Sequence, residues 1–228
     1  EDPEARRRAK IEEEAELRWT WPSLEWYASV RIHAIDAFDV FDEESETALG
    51  DGASRLGLRA SWQYNRTWSI FGRAETGFDV LKTFTPKAGK EDEEDDRFGL
   101  RQRLLYGGID SEHLSASFGK NWSTYYRIAG MADRFAIFGG NGVGIYNAGT
   151  DGGSTGMGRA DDVLQARVYV KALSRWEIKP FNLNLQYQNN QPIPRVENRN
   201  YGKAWGASAW LETNSGRGMG IAYNYADI

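Results

Sequence analysis

Residues 55–64 read Arg-Leu-Gly-Leu-Arg-Ala-Ser-Trp-Gln-Tyr. Leu56, Leu58, Ala60, Trp62 and Tyr64 share one parity; Arg55, Gly57, Arg59, Ser61 and Gln63 share the other. A period of two marks a strand, because successive side chains leave opposite faces. One face is apolar. The other carries arginines, which are too costly to bury dry and unpaired. The alternation returns along the chain. From Leu24 to Ala34, Leu24, Trp26, Ala28, Val30, Ile32 and Ala34 oppose Glu25, Tyr27, Ser29, Arg31 and His33. Further runs cover 68–79, 97–106, 114–118, 164–172, 181–188, 205–211 and 219–225. In the 97–106 run, Phe98, Leu100, Leu104 and Tyr106 oppose Arg97, Arg101 and Arg103. About nine strands result, and the class is all-β.

Composition narrows the function. The chain has 228 residues, a net charge of -5, no cysteine and two histidines. There is no disulfide framework, thiolate metal site or cysteine nucleophile, and a multi-histidine metal site is disfavoured. Histidines 33 and 113 read as structural or solvent-facing, with His33 on the polar parity. The acidic balance argues against sequence-independent nucleic-acid binding. No continuous apolar run is long enough for a membrane helix. A barrel strand is apolar only at alternate residues, so the mean hydropathy of -0.64 is compatible with a membrane barrel.

The connections alternate between tight and long. Asn65-Arg66 and Gly216 mark short turns, whereas 39–53, 82–96 and 120–158 read as long loops. Trp19, Trp21, Trp62, Tyr64, Trp68, Tyr106, Trp176, Tyr187, Tyr223 and Tyr225 lie near strand ends, as interfacial girdles require. Together these features predict an antiparallel transmembrane β-barrel with a water-filled lumen. An antiparallel sheet with one solvated face explains the alternation equally well, but not the girdle or the 120–158 loop. Residues 3–18, rich in alanine, glutamate and arginine, read as a helix. Residues 1–22 are therefore expected to form a charged helical extension, either solvated or periplasmic, ahead of a barrel domain over 23–228. The chain opens without an apolar signal core, so an exported protein would have lost its signal before Glu1.

Several segments resemble the Gram-negative general porins, the trimeric, sixteen-stranded outer-membrane channels. Arg55-Leu56-Gly57-Leu58-Arg59 is similar to that family's second-strand segment. Gln102 to Ile109 resembles its fourth strand. Phe118-Gly119-Lys120-Asn121-Trp122, followed by Asp133 and Phe138-Gly139-Gly140, resembles the entry and tip of the third loop. Gly158-Arg159-Ala160-Asp161-Asp162 resembles the return to the barrel. The match covers roughly 24–228.

The resemblance implies that loop 120–158 folds inward and narrows the pore, with loop acids facing a basic ladder. Carried over, the ladder falls on Arg55, Arg103 and Arg159, and Arg31, Arg59, Arg73 and Arg101 share the polar parity. Asp133 and Asp151 are the candidate loop acids, with Asp161 and Asp162 as further acids. Ile137 stands where the family has glutamate. A homotrimer is implied, embedded in outer-membrane lipid and lipopolysaccharide and passing small hydrophilic solutes. With about nine strands visible, the chain is expected to be part of a sixteen-stranded barrel. Glu91, Asp92, Glu93, Glu94, Asp95 and Asp96 form an acidic loop whose hard oxygens suit calcium or magnesium, or a cation bridge to lipopolysaccharide. The plainer reading is a solvated acidic loop. The glycines of 139–158 lack a phosphate-loop motif, and no catalytic set is suggested by spacing. The expected function is passive diffusion with weak anion preference. The rival readings are a sugar- or dicarboxylate-selective channel and a soluble periplasmic β-sheet binding protein.

Overall fold

The computed structural model describes residues 21–39, 44–84, 99–134, 143–146, 150–171, 178–194 and 196–227. The expected helix at 3–18 and the acidic run 91–96 lie outside them. Among the described residues are strands β1 (Ser23–Ser29), β2 (Ile32–Asp39), β3 (Glu44–Asp51), β4 (Arg55–Gln63), β5 (Ser69–Gly77) and β6 (Arg101–Asp110). They continue with β7 (Leu114–Trp122), β8 (Arg159–Val170), β9 (Phe181–Asn189), β10 (Lys203–Glu212) and β11 (Gly218–Ala226). Two short helices, α1 (Val80–Phe84) and α2 (Tyr126–Ala129), lie in connections. Nine strands make one antiparallel sheet in the order β1-β4-β5-β6-β7-β8-β9-β10-β11, and β2 and β3 pair separately as a hairpin. Chain order equals spatial order except where that hairpin is inserted. This is the meander that tight turns at one end and long loops at the other produce.

Local chemistry sets the turns. Asn65 Oδ1 accepts hydrogen bonds from the amides of Thr67 and Trp68, both at 2.8 Å, and closes the β4–β5 turn. Gly216, at φ 81°, lets the chain reverse between β10 and β11.

The burial pattern is inverted relative to a water-soluble sheet. The apolar parity is exposed: Trp26 is 69% accessible, Phe118 59% and Ile221 66%. The polar parity is covered: Glu75 is 5% accessible, Gln186 3% and Gln188 1%. Register extends this polarity across the sheet. Ser69, Asp110, Ser115, Arg167, Asn184 and Ser208 stand opposite one another in sequence across β5 to β10. Phe71, Gly108, Ser117, Gln165, Gln186 and Gly206 form the next row.

Four expectations are corrected. The alternation of 24–34 is two strands, not one: β1 ends at Ser29, and Ile32 begins the separate hairpin. His33 accordingly lies over Gly50 of β3 and not on the main sheet; a Cβ at Gly50 would fall 2.4 Å from its Nε2. The loop expected at 39–53 contains β3, whose Glu-Ser-Glu-Thr-Ala-Leu-Gly-Asp sequence lacks strand-forming bulk. Leu104 and Tyr106 do not share the outer face of Leu100. A bulge shifts the β5–β6 register between Glu75 and Thr76, so Arg103 and Leu104 are both buried while Leu105 and Ile109 are exposed. Finally, the loop between β7 and β8 is shorter than the expected 120–158. β7 continues to Trp122 and β8 begins at Arg159, with a second register shift between Gly119 and Asn121.

Candidate functional site

Two charged clusters and a loop occupy the polar face. The first cluster is built by β1, β4, β5 and β6. Glu75 on β5 is its hub. Its carboxylate accepts from Tyr27 Oη at 2.7 Å, Arg73 Nη2 at 2.8 Å and Arg103 Nε at 2.7 Å. Arg73 Nε also donates to Tyr27 Oη at 2.8 Å. Arg59 lies over the Tyr27 ring, 4.5 Å from its centroid, and pairs with Glu25 at 3.1 Å. Gly57 makes the crossing possible: a Cβ there would fall 2.2 Å from Tyr27 Cζ. Arg55 is within electrostatic range of Arg31, Arg103 and Glu75.

The second cluster ties the two ends of the loop together. Lys120 pairs with Asp151 at 3.1 Å and makes a short contact with Asp161. Asp151 also accepts from Arg159 Nε at 3.0 Å. The Arg159 guanidinium lies 5.6 Å from the centroid of Trp122 and 5.8 Å from that of Tyr146. Trp122 in turn stacks on Tyr126 at 4.0 Å.

The loop lies down on the polar face through amide side chains of β9 and β11. Gln186 accepts from the Thr124 amide at 2.7 Å and donates to the Gly156 carbonyl at 2.8 Å. Gln188 donates to the Gly153 carbonyl at 2.8 Å, and Asn224 to the Thr155 carbonyl at 3.0 Å. Loop backbone that cannot form a ladder thus finds partners without water, which a covered segment requires. Gly206 leaves room for Thr124; a Cβ there would lie 2.7 Å from its Oγ1.

The structure brings Arg55, Arg59, Arg73 and Arg103 together. Arg31 is exposed in the β1–β2 connection, with Nε donating to Ser29 Oγ at 3.2 Å. Arg101 is exposed beyond the β6 bulge. Arg159 belongs to the second cluster. Of the loop acids, Asp133 accepts from Tyr126 Oη at 3.1 Å, and Asp151 is engaged by Lys120 and Arg159. Burial, with Asp133 alongside, pushes the Tyr126 hydroxyl up to about 12, so it remains a donor at neutral pH. The wall acids Glu25 and Glu75 and the docking amides Gln186, Gln188 and Asn224 were not singled out by the sequence. Their only signal was polar parity. Phe138-Gly139-Gly140 and the acidic run 91–96 lie outside the described residues. Among the described residues no group of three or more acidic or histidine side chains is placed to hold a metal ion.

No helix among the described residues is long and apolar enough to cross a membrane, which says nothing of strands. No family model matches the chain, and no curated protein matches its sequence. Solved structures do match. Salmonella typhi OmpF, in a complex with daunomycin, aligns at a TM-score of 0.62 and 19% identity, covering 90% of this chain and 53% of its own. The chain thus spans about half the length of that protein. OmpT, an outer-membrane protein of Vibrio cholerae, aligns at 0.45 and 14% identity, over 91% of this chain and 83% of its own. Its loop-deletion mutant aligns at 0.45 and 16% identity, over 90% and 69%. The likeness to OmpF establishes a fold shared with outer-membrane β-barrel proteins.

Proposed function

We propose that this chain forms the wall of an outer-membrane channel through which small hydrophilic solutes and ions diffuse passively. The inverted burial carries the reading: an exposed apolar face suits lipid, and the polar face holds two charged clusters and a docked loop. A soluble binding protein would leave that apolar face in water, a patch far larger than monomers tolerate. The first cluster and the loop act together as the filter. Opposed and unequal charges beside a narrowed aqueous path select by size and charge, and passage needs neither catalysis nor energy coupling.

The remaining expectations belong to the same reading. The apolar side of β1, β4, β5 and β6 has a hollow of about 430 Å³ lined by Trp26, Leu56, Leu58, Ala74, Leu100 and Leu105. This is the surface through which three copies would pack. Lipopolysaccharide and a calcium or magnesium ion at 91–96 are proposed as outer-membrane partners on the chemistry of that sequence alone.

Swelling of liposomes tests the channel. Vesicles carrying the intact protein are expected to swell quickly in a pentose, and progressively more slowly in a disaccharide and a tetrasaccharide. Swelling no faster than in protein-free vesicles would refute the reading.

A further inference from the structure

A cavity of about 510 Å³ lies on the polar face between the loop and the wall. At roughly 30 Å³ per water it has room for a hydrated organic ion. Three arginines line it, Arg73, Arg127 and Arg167. Arg73 is committed to Glu75 and Tyr27. The other two have no carboxylate partner among the described residues. Arg127 Nη2 reaches the neutral amide of Gln165 at 3.3 Å, and Arg167 Nε reaches that of Asn184 at 3.3 Å. Both bonds are long for a guanidinium. Arg127 Nε is buried with no hydrogen-bond partner among the described residues.

Acids among the described residues do not supply the missing charge. Among the described residues the one acid lining the cavity, Asp110, accepts from Tyr169 Oη at 3.0 Å. Between Ser123 and Thr150 the sequence contains only Asp133, which the Tyr126 hydroxyl engages. Burial, with Arg167 close by, pushes the Arg127 guanidinium down to about 10, so it is still charged at neutral pH. Ser115, directly opposite Arg167 across β7 and β8, and Ser117, both lining the cavity, add hydroxyl donors. A half-buried guanidinium whose buried Nε–H is idle, beside a second guanidinium and among hydroxyls, is completed by an oxyanion.

We propose that Arg127 and Arg167 form a binding subsite for a small oxyanion solute, a carboxylate or a phosphate, held between α2 and β8. The subsite rests on the channel reading and sharpens it, because it names the solute class that pauses in the lumen. Equilibrium dialysis of the intact, detergent-folded protein tests it without requiring conduction, using labelled inorganic phosphate and labelled succinate. Saturable binding of one anion per chain is expected, for at least one of the two. Binding of phosphate alone or of succinate alone identifies the headgroup. Arg127→Gln and Arg167→Gln should each weaken binding at least tenfold, Arg167→Lys less, and Arg66→Gln in the β4–β5 turn not at all. Circular dichroism confirms folding, and if one glutamine variant does not fold the other carries the test. No saturable binding of either anion, or an equal loss in Arg66→Gln, would overturn the subsite. Sugar-driven swelling would still judge the channel separately.

Discussion

Glu75 concentrates the energetics of the wall in one carboxylate. Three donors converge on it, from β1, β5 and β6, so it fastens three strands through side chains as well as through the ladder. Removing one member of a buried ion pair strands the other, at a cost of about 3–5 kcal/mol. Arg73 is still partly wetted here, at 22% side-chain accessibility. Glu75→Gln is therefore expected to cost roughly 2–3 kcal/mol, slightly under that range. The urea midpoint of the protein in lipid vesicles measures the loss; an unchanged midpoint would remove Glu75 as the hub. At this scale the sequence was legible in part. Parity placed Arg55, Arg59, Arg73 and Arg103 on one face. It gave no hint that Glu25 and Glu75 compensate three of them from within the wall, because pairing depends on register.

Among elements, the loop matters most. Besides the ion pairs of Asp151, its hold on the sheet comes from hydrogen bonds made by Gln186, which makes two, and by Gln188 and Asn224, each worth about 1 kcal/mol net. The double variant Gln186→Leu, Gln188→Leu leaves the Thr124 amide and the Gly153 and Gly156 carbonyls without those partners. Limited proteolysis of membrane-embedded protein should then cleave between Thr124 and Gly158, where the parent resists. Equal resistance would show that the ion pairs of Lys120 and Arg159 hold the loop alone. The strands themselves were readable from period two, which each of the nine in the main sheet follows over at least part of its length. The failures have local causes. Bulges at Glu75/Thr76 and at Gly119/Asn121 insert a residue and invert parity beyond it, as Tyr106 shows. Gly119, at φ 122°, bends the chain where a Cβ would meet the Leu105 carbonyl oxygen at 2.3 Å. β3 is not legible in the sequence because its polar, small residues carry no alternation. The glutamines of β9 share a polar parity, but nothing in a single strand says which segment will cover it.

For the molecule as a whole, the question is what the net field along the polar face selects. The first cluster has four arginines against two glutamates, so it retains a modest positive surplus, and Arg127 and Arg167 add to it. The overall charge of -5 is a poor guide, since it includes the acidic 91–96 run and the charged first 18 residues. Reversal potentials in planar bilayers under a salt gradient should show weak anion preference. Arg103→Glu should move the potential toward cations further than Arg66→Glu does. Clear cation preference in the parent would contradict this distribution of charge.

Beneath selectivity lies the assignment of one face to water and the other to lipid, and spin labelling tests it most directly. The chain has no cysteine, so single cysteines at 114–118 and 181–188 can be labelled one at a time in the intact protein in bilayers. At Ser115, Ser117, Asn182 and Asn184, which the docked loop leaves without a direct bond, labels should collide with an aqueous nickel chelate. At Leu114, Ala116, Phe118, Leu183 and Leu185, they should collide with lipid-dissolved oxygen, in strict antiphase. Equal access of the chelate to both parities, or no oxygen-rich parity, would contradict the account.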